Sequence, residues 1–405
     1  VKVVFLSPMC VLDTRSGAAL EMRTLLGWLS EAGHEAYSIS ATLFDGRHEF
    51  PMTAAVGAEG AAAHNQGKML RFWRDGVRHH VLYTKSTQGR HLERDEAQRL
   101  LTKTDEILRE LQPDVVIGYG SDTLSKKLWE SARRHTRTLV FYLANASYQY
   151  PDVFQTFDHV LCPSPYLRDL YRERLGINPG VLRTMIHENN RAPAHEVTSV
   201  ASIGSRSSGF ITFINPTGDK GATLVMKLVE MAWAKRPDFT FLLVEGRVSA
   251  DAWREIKPDF VTMPNIWWIP NQQDMRRVYK RTAALLFPSF IQEAAGRAIT
   301  EAQLGGIPVL GANRGGIPDQ LNGGGFCFDL PDALLEKYTN VPNAHIVQPW
   351  FDTLQRLMDD DAYYMQAVQR AHRAAEPFEP AQRKKDAVAE MLALADQREA
   401  AGAAS

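Results

Sequence analysis

Cysteine is scarce. Cys10, Cys162 and Cys327 are the three in 405 residues. They lie far apart and lack metal-ligand spacing, which argues against a disulfide framework or a zinc site and for a reducing, cytoplasmic setting. Long hydrophobic runs are missing too. The opening stretch VKVVFLSPMCVL is broken by Pro8 and followed by Asp13 and Arg15. It is shorter than the ~20 apolar residues a bilayer requires, has no small-residue cleavage site, and reads as a strand. No later stretch is long enough to span, so the expectation is a soluble protein, with peripheral contact to the inner face of a membrane left open. Nor is there an excess of one charge. Forty-six Lys and Arg stand against 47 Asp and Glu, which removes the basic field that nucleic acid would need. Short-period repeats, low-complexity tracts, a Gly-Lys-Ser/Thr phosphate loop and a Gly-x-Ser-x-Gly elbow are all absent.

What is present is a regular alternation of short β-rich runs with helical stretches, the pattern of parallel α/β architecture. VKVVFLSP, EAYSISATL, VVIGYG, TLVFYLAN and HVLCPS read as strands, separated by helical segments such as SGAALEMRTLLGWLSEAGHE. Residues 187–208 lose the periodicity and gain Ser, Asn and Pro, as a linker does. A second series follows with GFITFINP, FTFLLVEG, NIWWIP, AALLFPS, IPVLGAN and GGFCFD. The expected fold is α/β, with two Rossmann-like doubly wound domains facing each other across a cleft and a helical C-terminal tail. Residues 1–190 form the first domain and 205–372 the second. Residues 373–405 form the tail, placed to pack back on the first domain, and its end, QREAAGAAS, reads as frayed. Ligands of such sheets bind beyond the carboxyl ends of the strands.

One segment breaks the grammar. Residues 46–99 read as a long excursion around one extra strand, RHHVLYTK. Within 64–99 eight Lys and Arg face four acids, with His64, His79, His80 and His91 in addition. That composition suits either a solvated excursion or contact with an acceptor or an anionic membrane surface.

The strongest chemical signal is FPSFIQEAAGRAITEAQLGGIPVLGANRGGIPD. Pro288–Ser289 ends a strand, Glu293 lies in the turn, and a helix begins near Ala295. Backbone N–H groups of Ala295, Gly296 and Arg297 at a helix N-terminus suit a diphosphate or a polar sugar edge. Glu301 follows Glu293 by eight residues, about 80° around a helix, so both carboxylates can face one site. The same residues also fit a capping Glu293 and an exposed Glu301. In INPTGDKG, Lys220 and Gly221 open a helix, where an ammonium would neutralise phosphates. Arg247 follows LLVEG. NIWWIPNQQDM offers Ile269 and Pro270 beside a nucleobase, with Trp267 and Trp268 read as sheet packing. In the first half, Gly17 enters the first helix, Ser121 and Asp122 follow a strand end, and Asn145 follows another. Asp122 fits an acceptor contact or a helix cap. Asp359-Asp360-Asp361 reads as a solvated helix junction.

The Glu-x7-Glu spacing, the preceding Pro-Ser and GGIPVLGANRGGIPD resemble the donor signature of retaining glycosyltransferases of family four, of the glycogen-synthase-like and mannosyltransferase-like group with the GT-B fold. The resemblance implies that Glu293 contacts the transferred sugar, Glu301 holds the ribose hydroxyls, and Lys220 holds the diphosphate with Gly221. It places Gly17 on the loop facing donor phosphate and acceptor. Two positions depart from the family. Asn215 stands where an arginine usually precedes the lysine, so either the amide serves as a neutral donor or Arg247 or Arg314 compensates. Ala144-Asn145 stands where relatives carry a histidine, and an amide cannot act as a general base.

The resulting expectation is metal-independent transfer of a hexosyl or related group, with retention, from a nucleoside-diphosphate sugar to a hydroxyl-bearing small molecule, glycan or lipid-linked acceptor. UDP- or GDP-linked donors are favoured and no cofactor is required. A sugar-nucleotide epimerase and a non-catalytic nucleotide-sugar-binding subunit are the alternatives.

Overall fold

A computed structural model describes residues 1–46, 48–193 and 209–402; the linker expected at 187–208 lies outside them from residue 194 onward. The chain forms two compact units, Val1–Met185 with Ala381–Ser405, and Ile186–Pro380.

The first unit carries β1 (Lys2–Leu6), β2 (Glu35–Ala41), β3 (Met69–Arg74), β4 (Val77–Leu82), β5 (Val115–Gly118), β6 (Thr138–Tyr142), β7 (His159–Cys162) and β8 (Gly180–Val181). Their order in the sheet is β3-β4-β2-β1-β5-β6-β7-β8. All neighbours are parallel except β3 and β4, which pair antiparallel from Met69 opposite Leu82 to Arg74 opposite Val77. The strand order reverses direction between β1 and β5, the switch point of a doubly wound sheet. The central strands are apolar throughout, with Val3, Val4, Phe5 and Leu6 fully buried, because helices cover both faces of a parallel sheet.

The excursion at 46–99 holds more structure than one extra strand. A helix spans Met52–Gly60, and β3 and β4 form a hairpin. Its turn is Asp75-Gly76, with φ of 52° and 73°. Positive φ at both central residues is the turn that follows the twist of a two-residue hairpin.

The second unit carries β9 (Phe210–Ile214), β10 (Phe241–Val244), β11 (Ile266–Ile269), β12 (Thr282–Phe287), β13 (Val309–Ala312) and β14 (Phe326–Phe328), ordered β11-β10-β9-β12-β13-β14 and all parallel. One continuous core joins Phe213, Phe241, Leu285 and Leu310 to Trp350, Leu354 and Tyr364. The last three belong to helices Ala344–Asp359 and Asp361–Ala375. Asp360 caps the second of these by accepting Tyr363 N at 2.9 Å, and Asp359 pairs with Arg236 at 2.9 Å. The aspartate run is a helix junction.

Helix Pro380–Gly402 belongs to the first unit. Ala387, Met391 and Leu394 join the core of that unit with Leu182 and Met185, and Lys384 pairs with Glu31 at 2.5 Å. The helix continues through the stretch read as frayed as far as Gly402; residues 403–405 lie outside the described residues. Among the described residues no helix is long and apolar enough to cross a membrane.

Candidate functional site

In the second unit, β9 and β12 are neighbours, so the segments leaving their carboxyl ends meet. The turn Gly218–Lys220 follows β9, and Phe290 N, just beyond β12, donates to Asp219 O at 2.9 Å. Gly221, with φ 89°, sits where an added Cβ would collide with the Pro288 carbonyl. Close chain packing alone therefore explains this glycine.

Lys220 Nζ donates to Glu293 Oε1, and the Ser289 hydroxyl donates to the same oxygen at 2.6 Å. Both partners of the ion pair are largely enclosed, with side-chain exposures of 17% and 12%. The Glu293 loop is braced by Gly316 N, which donates to Glu293 O at 2.8 Å. Arg314 Nε donates to Phe290 O at 3.2 Å, which ties the loop after β13 to the loop that carries Glu293. Asn215 adopts φ 58°, and its Oδ1 accepts Arg247 N at 2.9 Å. The amide oxygen is spent on shaping the β10 exit, and Arg247 is fixed by its backbone.

The helix after Glu293 spans Arg297–Leu304, with Gly296 at φ 94° as its N-cap and no capping side chain among the described residues. Ala295 is buried beside it. The first turn therefore presents backbone donors without a side-chain acceptor, an arrangement that attracts anions.

Glu301 is placed differently from an open ligand. It is 4% exposed. Its Oε1 accepts Arg297 Nε at 2.8 Å and Asn190 Nδ2 at 3.4 Å, and its Oε2 accepts the Tyr279 hydroxyl at 2.6 Å. Burial, with the Glu301 carboxylate against it, holds the Tyr279 phenol well above its ordinary range. Tyr279 and Asn190 carry no motif, and no sequence signal pointed to either. Ile269 ends β11, and its carbonyl accepts Glu245 N at 2.9 Å. Of the two tryptophans read as packing, Trp268 stacks edge-on against Phe260 at 5.7 Å. Trp267 does not pack: it is 60% exposed, because β11 is the sheet edge and its neighbouring helix, Arg276–Tyr279, is a single turn.

In the first unit, Ser16 caps helix Gly17–Glu31 through Ala19 N at 3.5 Å. Nothing lies within 4 Å of where a Cβ on Gly17 would project, so packing within the chain does not require a glycine there. The loop before it is tied by Asp13, whose carboxylate accepts Arg15 N at 2.9 Å and Asp45 N at 2.6 Å. Burial raises the Asp13 pKa above its ordinary value. Asp122 caps helix Thr123–His135, accepting Leu124 N at 2.9 Å and Ser125 N at 3.1 Å; Ser121 precedes it. Asn145 is exposed, and its Oδ1 accepts Ser147 N at 2.9 Å. Among the described residues no cluster of three or more His, Cys, Asp and Glu could hold a metal.

No family model matches the chain, and no curated protein matches it. Solved structures do. Sucrose-phosphate synthase from Thermosynechococcus elongatus superposes with a TM-score of 0.69 at 14% identity, covering 99% of each chain. HepE from Anabaena, solved in complex with UDP-glucose, gives 0.65 at 15% identity over 97% of this chain and 99% of its own. WaaG, a glycosyltransferase involved in lipopolysaccharide biosynthesis, gives 0.62 at 13% identity over 95% and 98%. The chain is thus similar over nearly its whole length to enzymes of one architecture, and its fold, two α/β domains with a helical C-terminal region, is that of the GT-B glycosyltransferases.

Proposed function

We propose that the protein is a retaining, family-four-type glycosyltransferase that moves a hexosyl or related group from a nucleoside-diphosphate sugar to a hydroxyl-bearing acceptor. The observation that carries this reading is the convergence of Lys220, Ser289 and Glu293 at the carboxyl ends of two adjacent strands, in a chain with the fold of sugar-nucleotide enzymes. The donor diphosphate takes the ammonium of Lys220 from Glu293, and the freed carboxylate accepts a hydroxyl of the transferred sugar. Lys220, Arg314 and the donors of Ala295, Gly296 and Arg297 stabilise the charge that develops on the leaving diphosphate. These groups supply the neutralisation from the protein, so the proposed reaction is metal-independent and needs no cofactor.

Asn145 cannot take a proton, so the acceptor hydroxyl gives its proton to the departing phosphate oxygen. The anomeric carbon exchanges its bond to that oxygen for one to the acceptor oxygen on the same face. Arg247 and Ile269 border the nucleotide. Glu301 reaches the ribose only by releasing one of its present partners. Gly17, Ser121 and Asp122 lie on the acceptor side. A UDP- or GDP-linked donor is favoured. The excursion at 64–99 is assigned to an anionic acceptor or membrane surface, and the three unpaired cysteines support a cytoplasmic setting.

Thermal shift against UDP, GDP, ADP and TDP tests the reading. A ligand that binds only the folded state at 100 times its Kd stabilises by about 2.7 kcal/mol. One diphosphate is expected to raise the Tm clearly above the others. A flat response to all four overturns the assignment.

A further inference from the structure

A cavity of about 490 Å³ lies against the edge strand β11, with Leu242, Trp267 and Val278 on its apolar side and Arg277, Lys280 and Arg281 around it. It falls within the size range of ligand-binding pockets, roughly 300–1,000 Å³. At one end it reaches Ile269 and Pro270, the residues assigned to the nucleotide; the three basic residues lie away from them. All strands of this sheet are parallel, and Arg281 directly precedes β12, so the cavity extends to the edge opposite the strand ends that carry Lys220 and Glu293.

Arg277, Lys280 and Arg281 are exposed, and among the described residues no ion pair engages them; the nearby Asp274 is bound by Arg276 at 2.6 Å. Trp267 stands 60% exposed on the strand beside them. An amphipathic indole next to three exposed cations and an apolar recess is matched to one chemistry, an anionic headgroup above an acyl chain. Tryptophan partitions to the bilayer interface, and basic residues add roughly fivefold each in attraction to an anionic surface.

We infer that this face of the second unit docks on an anionic phospholipid bilayer, with Trp267 entering the interface and Arg277, Lys280 and Arg281 meeting the headgroups. The surface is separate from the excursion at 64–99, and its test does not depend on glycosyl transfer.

The experiment is sedimentation of the full chain with phosphatidylglycerol–phosphatidylcholine vesicles, alongside pure phosphatidylcholine vesicles. Binding to the anionic vesicles alone, falling with salt, is expected. The triple variant Arg277→Glu, Lys280→Glu, Arg281→Glu should lower it more than tenfold. Brominated acyl chains should quench tryptophan emission in the wild type, and Trp267→Phe should remove that quenching. Failure of the wild type to sediment overturns the inference, as does a triple variant that sediments like the wild type. Quenching abolished by Trp73→Phe but untouched by Trp267→Phe assigns the contact to the first unit and also overturns it. So does a triple variant that loses self-association while keeping vesicle binding.

Discussion

Lys220 Nζ and the Ser289 hydroxyl both donate to a single oxygen, Oε1 of Glu293. Seventy-three residues separate the lysine from the glutamate, and the adjacency of β9 and β12 closes that gap. The two charges neutralise each other in a largely enclosed site.

Lys220→Ala and Glu293→Gln should therefore part company. Both should reduce transfer by about 10²- to 10⁴-fold, the range for losing a preorganised electrostatic contact. Lys220→Ala should also weaken nucleoside-diphosphate binding. Glu293→Gln should leave that binding intact or tighten it, because the ammonium no longer has to be taken from a carboxylate. Calorimetric titration of both variants alongside their rates checks this, and equal weakening by both would contradict it.

Glu301 should matter to stability more than Glu293 does. Glu301→Ala removes the buried carboxylate that Arg297 Nε and the Tyr279 hydroxyl both donate to, and breaking a buried pair by removing one partner costs about 3–5 kcal/mol. Tyr279→Phe removes one donor and should cost about 1–3 kcal/mol. Urea midpoints at constant m-value measure both.

Asp122→Ala should cost about 1 kcal/mol through the lost helix cap. Asp122→Ser, which can still cap, should recover most of it. If Asp122 also meets the acceptor, Asp122→Ser will restore stability without restoring the KM for acceptor, and the two readouts separate its roles.

His79 and His80 set an acid limit. Both are buried in β4, and burial depresses each pKa to about 4. Nearby cations, Arg74 and Arg23 for His79 and Arg71 and Arg78 for His80, act in the same direction. The unfolded chain takes up these protons near pH 6.5, whereas the folded chain resists them down to about 4. The stability held by keeping the rings neutral is therefore complete above pH 6.5 and is lost as pH falls toward 4. The slope approaches about 1.4 kcal/mol per pH unit for each ring. Neither nitrogen of His80 has a hydrogen-bond partner among the described residues, so His80→Leu should be neutral or stabilising at pH 7 and should flatten the acid limb. Chemical denaturation at pH 4.5, 5.5 and 7 checks the sign.

The parallel strands were legible because buried strands of such sheets are continuous apolar runs; FITFI and FLLV could hardly be anything else. The β3–β4 hairpin was not read, because MLRFWR alternates at a sheet edge and the Asp75-Gly76 turn that announces it was passed over. Lys220 and Glu293 were legible because each sits at a strand end within a spaced motif. Glu301 was legible as a residue but not as a saturated carboxylate. Its partners Tyr279 and Asn190 lie 22 and 111 positions away, and only the packing of two helices with the turn Glu188–Asn190 brings them to it. Trp267 was misread because periodicity reports which face a side chain takes, not whether anything covers that face.

The helix from Pro380 supplies Ala387, Met391 and Leu394 to a core whose other members begin at Val3. During synthesis, the second unit, contiguous from Ile186 to Pro380, therefore has all its residues before the first does. The half that is translated first is the half that must wait, its apolar surface incompletely covered until that helix leaves the ribosome.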